Sequence, residues 1–319
     1  MVNYLMNKLK IAFFTEAGSK RGMGHLVRCY TLFQKLKKNN TRVRFFLDSD
    51  INFDYKFKNL EYFVWDNFIL TEDYDVIIID SYEAPLKIYE EATKKSKLAV
   101  YIDDFSRINY PKGLIINFLP ESKKQLANQK NKDEHVYLLG LDYVLIREEF
   151  LSCKIKKDKQ IFVMLGGADT ANLSYEILDA LEDINIKKVI VLNNKGMIEK
   201  IQLFKNVKVL YKPSDKELIE NMAKSFISIS TASMTLYELS FLKVSSIVIA
   251  VSQNQIIGAK QFISNKIANN YIDIENINWK EKLKKAVSIL EDISLENKSI
   301  IDGKGTIRII EKILELVEL

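Results

Sequence analysis

Ile11-Ala12-Phe13-Phe14 leads through Thr15-Glu16-Ala17 into Gly18-Ser19-Lys20-Arg21-Gly22-Met23-Gly24-His25, and a helical pattern then runs from 25 to 38. An apolar strand, a glycine-rich turn and a helix make one βα unit, and repeats of that unit build a parallel sheet. Further strands are expected at 42–47, 75–80, 98–102, 114–117 and 136–139, with a second helix at 86–95. The charged segment 152–160 interrupts this rhythm. It restarts with strands at 161–165, 188–192, 207–211, 226–230 and 245–251, and helices at 174–182, 215–224, 234–241 and 254–266. A last helical pattern, with Ile307, Ile309, Ile310, Ile313, Leu314 and Val317, spans 305–319. The expected fold is α/β, with two Rossmann-like domains, 1–152 and 153–319, facing across a cleft, the final helix belonging to the second. In such sheets ligands meet the carboxyl ends of the strands, so polar groups there carry most weight.

Composition narrows the function. The chain has 319 residues with a net charge of +5, its lysines mixed with acidic residues and not gathered in a block. Runs such as Lys154-Ile155-Lys156-Lys157 lack interleaved aromatic platforms, so no nucleic-acid partner is expected. Apolar runs such as Val76-Ile77-Ile78-Ile79 fall far short of the ~18 residues that span a bilayer, so no membrane insertion is expected. The start, 1–10, shows no export signal, and Cys29 and Cys153 match neither a disulfide framework nor a zinc pattern. A reducing cytoplasm and a monomer are the expectation. With Cys29, Cys153, His25 and His135 isolated in sequence, no metal is expected either.

Several strand ends offer chemistry. His25 opens a helix behind glycines that let a ligand approach the backbone. Gly22-Met23-Gly24-His25-Leu26-Val27 has the form G-x-G-x-x-V, but Gly22 lies well past the strand and Val27 replaces the small third residue of a dinucleotide fingerprint. The pairs Asp48-Ser49-Asp50 and Asp73-Tyr74-Asp75 read as turn residues flanking strands. Asp80-Ser81-Tyr82 and Ile102-Asp103-Asp104 close two strands on the same rim as His25. In the second half, Gly166-Gly167-Ala168-Asp169 and Ser230-Thr231-Ala232-Ser233 join strands to helices, where N–H groups and hydroxyls suit a diphosphate without a metal. Glu238, one turn further, either accepts ribose hydroxyls or favours the helix dipole.

Taken in order, Gly22-Met23-Gly24-His25-Leu26-Val27-Arg28, Asp80-Ser81-Tyr82, Asp103-Asp104, the block Leu139 to Phe150, Leu165-Gly166-Gly167-Ala168-Asp169 and Gln253-Asn254-Gln255 resemble the PseG family of UDP-2,4-diacetamido-2,4,6-trideoxy-β-L-altropyranose hydrolases. The resemblance covers roughly 9–270, and the family is similar to two-domain GT-B glycosyltransferases. It implies hydrolysis of a UDP-sugar without a cofactor, with His25 as the base that activates water. It implies substrate contacts from Gly22, Gly24, Arg28, Tyr82 and Asp104 in the first domain. In the second, UDP-binding domain the expected contacts are Gly166, Gly167, Asp169, Ser233, Glu238, Asn254 and Gln255. Ser81 stands where family members often carry histidine. Two other readings stay open at this point: a glycosyltransferase with a sugar acceptor in place of water, and an idle sugar-nucleotide binding protein.

Overall fold

The computed structural model describes residues 9–38, 42–104, 107–126, 134–166, 173–251, 253–293 and 299–318. The chain divides into two units, Met1–Arg147 with Gly303–Leu319, and Glu148–Asp302.

The first unit carries β1 (Ile11–Ala17), α1 (Gly24–Lys37), β2 (Val43–Ser49), β3 (Leu60–Phe63), β4 (Tyr74–Asp80), α2 (Leu86–Lys94), β5 (Ser96–Ile102), β6 (Leu114–Asn117), α3 (Ser122–Leu126) and β7 (Val136–Leu139). Its strands lie in the order β3-β2-β1-β4-β5-β6-β7, every neighbour parallel. A parallel sheet is covered on both faces, which is why β1 and β4 are apolar nearly throughout instead of alternating. Successive side chains still point to opposite faces. Phe13 and Phe45 pack with Phe33 of α1 on one side, while Phe14 stacks on Phe46 at 4.7 Å and meets Phe63 and Phe68 on the other. On that second face Ile77, Ile79, Ala99 and Tyr101 pack with Ile88, Tyr89 and Ala92 of α2.

The second unit carries α4 (Glu148–Leu151), β8 (Gln160–Met164), α5 (Leu173–Ala180), β9 (Lys187–Leu192), α6 (Ile198–Ile201), β10 (Val207–Tyr211), α7 (Asp215–Lys224), β11 (Ile227–Thr231), α8 (Thr235–Phe241), β12 (Ser245–Ala250), α9 (Gln253–Ser264), β13 (Asn270–Asp273) and α10 (Trp279–Ile293). The parallel order is β10-β9-β8-β11-β12-β13. In both sheets the order reverses beside the first strand, between β1 and β4 and between β8 and β11. Those two crevices are where such sheets take ligands.

The edge strands β3 and β13 and the helix α10 were not among the expected elements. β3 and β13 lie at sheet edges, and their sequences, Leu60-Glu61-Tyr62-Phe63 and Asn270-Tyr271-Ile272-Asp273, mix polar with apolar residues in place of the apolar run of a buried strand. α10 did carry a signal, since Leu283, Ala286, Val287 and Leu290 recur at helical spacing and are buried.

The expected assignment of the final helix to the second half is corrected. The helix α11 (Gly305–Glu318) belongs to the first unit, and its approach is enforced by a glycine. A Cβ on Gly305 would lie 2.2 Å from the Val144 carbonyl oxygen. Arg308 donates from Nη1 to the Asp142 carbonyl at 2.9 Å, and Ile309, Ile310, Ile313 and Leu314 are buried. Gly305→Ala is therefore expected to cost about 2 kcal/mol by overpacking, and Ile313→Ala about 3 kcal/mol by leaving a cavity. Urea midpoints at constant m-value check both.

Candidate active site

The first-unit crevice is built by two strand ends that the register sets side by side. Thr15 of β1 pairs with Asp80, the last residue of β4, and its hydroxyl donates to the Asp80 carbonyl at 2.9 Å. After β1 the chain makes a tight loop in which Gly18 and Gly22 exchange backbone hydrogen bonds of 3.1 and 2.9 Å. Gly22 has φ of +72°, a conformation that favours glycine. Acidic groups beside the loop hold its shape: Asp50 accepts from the Ser19 N–H and hydroxyl, and Arg21 bridges Asp48 and Glu83 at 3.0 Å each. Helix α1 then begins at Gly24, so His25 sits in its first turn with Arg28 one turn on, along the same side.

Both side chains converge on Asp80. His25 Nδ1 lies 2.6 Å from Asp80 Oδ1. Arg28 donates from Nε to Oδ2 at 2.5 Å and from Nη2 to Oδ1 at 2.6 Å, a bidentate clamp, and from Nη1 to Asp104 Oδ2 at 2.5 Å. A carboxylate held this way accepts the proton of Nδ1, which assigns the tautomer and leaves the Nε2 lone pair as the basic site. Among the described residues Nε2 has no hydrogen-bond partner. Burial alone would raise the pKa of Asp80, but the charges of Arg28 and then His25 hold its carboxyl well below the usual range. Burial likewise opposes the Arg28 charge, and Asp104 and Asp80 outweigh it, so Arg28 stays cationic.

Tyr82 completes the wall. Its ring meets His25 edge-on at 4.4 Å and 88°, and its hydroxyl donates to Asp104 Oδ2 at 3.3 Å. Burial and then the Asp104 charge push the phenol up, so it remains a donor. The ring is 43 % exposed, which makes it a surface that a ligand can touch. Arg28, expected among the substrate contacts, is 4 % exposed, and its Nε, Nη1 and Nη2 donate to Asp80 and Asp104. Gly22 and Gly24 have open space where a Cβ would stand.

In the second unit, Gly166 follows β8 with φ of +85°, and a Cβ there would meet the Thr231 hydroxyl at 3.6 Å. The loops after β8 and β11 are thus adjacent, and the buried Ser230 hydroxyl has no hydrogen-bond partner among the described residues. Ser233 is half-buried just before α8, and Glu238 is buried within it. Gln255 accepts the Val251 N–H through Oε1 at 3.1 Å. Asn254 lies in α9. Gly167, Asp169 and the side chain of Asn254 fall outside the described residues. Among the described residues no three His, Cys, Asp or Glu are grouped so as to hold a metal ion, and no helix is long and apolar enough to cross a membrane.

Glu16 was absent from the expected site, and Asp80 was read as a polar strand end on the rim of His25 without a role of its own. Each is a buried acidic residue at or next to the end of a largely apolar strand, and a charge buried there must have partners. That was the available signal.

Because Asp80 titrates lower in the folded than in the unfolded chain, its stabilising share is complete above about pH 4 and is lost as pH falls below it. Asp80→Asn leaves Arg28 half-paired in the interior and is expected to cost about 3 kcal/mol at pH 7, while flattening the fall of stability below pH 4. Urea midpoints between pH 3 and pH 7 for both proteins check this.

No protein-family model matches the chain. It is 27% identical over 289 residues to an uncharacterised protein of Methanocaldococcus jannaschii, covering 78% of this chain and 56% of that protein. It is 26% identical over 250 residues to the pseudaminic acid cytidylyltransferase and UDP-2,4-diacetamido-2,4,6-trideoxy-beta-L-altropyranose hydrolase of Helicobacter pylori, covering 76% and 44%. The chain thus spans about half the length of these two relatives. The spore coat polysaccharide biosynthesis protein SpsG of Bacillus subtilis is 21% identical over 342 aligned positions, with 97% and 99% covered. Among solved structures, MurG of Acinetobacter baumannii superposes with a TM-score of 0.65 at 12% identity, covering 96% of this chain and 99% of that one. The UDP-GlcNAc 2-epimerase of Methanocaldococcus jannaschii does so with 0.60 at 14%, covering 96% and 99%. The fold is that of the GT-B class, two Rossmann-like α/β units built on parallel sheets.

Proposed function

We propose that this chain hydrolyses a UDP-activated sugar, and that the sugar is 2,4-diacetamido-2,4,6-trideoxy-L-altrose. One observation carries the reading: a buried His25–Asp80 dyad at the β1/β4 crevice, with Nε2 left as an unpartnered base among the described residues. The likeness to the Helicobacter pylori protein, whose name includes this hydrolysis, supports the substrate.

In this mechanism His25 Nε2 takes a proton from water as the water oxygen bonds to the anomeric carbon. The bond from that carbon to the β-phosphate oxygen breaks, and UDP departs with the electron pair. Attack opposite the leaving group inverts the centre. The imidazolium forms against Asp80, so its charge is compensated where it develops, and its proton then returns to solvent. Diphosphate is a weak base and needs no separate acid. The unpartnered Ser230 hydroxyl and the open turn at Gly166 support the β8/β11 crevice as the place of the diphosphate. Gly167, Asp169, Ser233, Glu238, Asn254 and Gln255 are its proposed further contacts, and Tyr82 is the proposed platform for the sugar.

UDP release from a panel of UDP-sugars, with EDTA present, tests this. Release is expected from the diacetamido compound, and His25→Ala is expected to lower kcat by about 10²- to 10⁴-fold with UDP affinity unchanged. Binding of UDP with no release until a sugar acceptor is added would move the reading to glycosyl transfer. Release that His25→Ala leaves untouched would end the role given to the dyad.

A further inference from the structure

Glu16 takes no part in the mechanism above, yet it is a 1 % exposed carboxylate at the end of β1. Its donors come from two other chain segments. Oε2 accepts from Trp65 Nε1 at 3.0 Å and from the Ser81 hydroxyl, and Oε1 accepts from the Tyr82 N–H at 2.8 Å. Ser81 Oγ itself accepts the N–H groups of Glu83 and Ala84 at 3.0 and 2.8 Å. Both of its lone pairs are therefore used, and its proton has to go to Glu16. Trp65 follows β3, and its own N–H is held by Asp48, the residue beside Glu16 in register.

We infer that Glu16 is a positioning residue of the site: its carboxylate fixes the turn after β4, and through it the Tyr82 ring against His25. Four N–H or O–H groups point inward at this junction, from Trp65, Ser81 and Tyr82 onto Glu16 and from Trp65 onto Asp48, and each acceptor is an acid. Only a carboxylate satisfies the donors on Glu16. A glutamine turns its NH2 either on the Tyr82 N–H or on the Trp65 and Ser81 donors, and a donor facing a donor in the interior forces the turn to move. Tyr82 reaches His25 edge-on at 4.4 Å, so a small shift of residue 82 changes the wall that a ligand meets.

The kinetic half of the test rests on the proposed hydrolysis, and the spectroscopic half does not. His25 and His135 are the chain's two histidines, so selective isotope labelling gives two sets of imidazole signals in this chain. Glu16→Gln is expected to move the His25 ring resonances, through the altered ring current of Tyr82, and to leave those of His135 in place. It is also expected to lower kcat about tenfold, as misplacement of site groups does, with a smaller change in KM. Adding Trp65→Phe removes one of the conflicting donors, so the pair is expected to recover part of the loss. Unmoved His25 resonances in folded Glu16→Gln overturn the inference whatever the activity. A wild-type protein that releases no UDP overturns the hydrolase reading and leaves the resonances to decide on Glu16. Should Glu16→Gln fail to fold, Ser81→Ala takes its place: the same movement of His25 is expected, and its absence overturns the inference.

Discussion

The carboxylate of Asp80 sits in the interior at the end of β4 and must be neutralised there. It is met by Arg28 through two hydrogen bonds, by His25 through one and by the Cys29 thiol at 3.4 Å. An ion pair of this kind adds little net stability over an apolar core, but losing one partner leaves a buried charge worth about 3–5 kcal/mol. The constraint is therefore geometric. The first helix has to start where β4 ends, which needs β1 and β4 as neighbours and a glycine loop short enough to aim His25 and Arg28 inward.

The same layout carries different side chains in the two units. In both, the sheet order reverses beside its first strand, and a turn with a positive-φ glycine lies at that reversal. At the first crevice the strand ends are acidic: Glu16, Asp48, Asp80 and Asp104 stand within one patch, balanced by Arg21 and Arg28. At the second they are small and hydroxylated, with Ser230 and Thr231 beside Gly166. Fixed carboxylates orient an imidazole base, whereas neutral donors and open backbone suit an anion. The contrast arises from side chains at matching positions of one topology.

Charge placement also explains why the glycine loop holds its form. Its glycines alone permit many conformations, but Asp50 on Ser19 and the Asp48–Arg21–Glu83 chain tie it to β2 and to the turn after β4. Arg21 and Glu16 thus brace the two walls of His25 from opposite ends. A change in either residue would act on the imidazole through the backbone, without touching a ligand.

Much of the fold was legible in the sequence because buried parallel strands are short apolar runs with abrupt ends. β6, β7, β10 and α7 occur at the expected bounds. His25, Tyr82, Asp104 and the glycines were legible as polar or flexible residues at such ends. Glu16, the pairing of Arg28 with Asp80 and Asp104, and the edge strands β3 and β13 were not, since an acid near a strand end does not name its partners and both edge strands mix polar with apolar residues. The final helix shows the limit most plainly. Its amphipathic face dictated that it pack on something, but the partner was decided by the close approach of Gly305 to Val144, a contact 161 positions apart in the chain that no local signal encodes. The sequence by itself determined which segments are strands and helices and which ends are polar, because those follow from periodicity. Which acid meets which base was decided by strand order and register, because only the tertiary structure brings Asp80 to Arg28 and Glu16 to Tyr82.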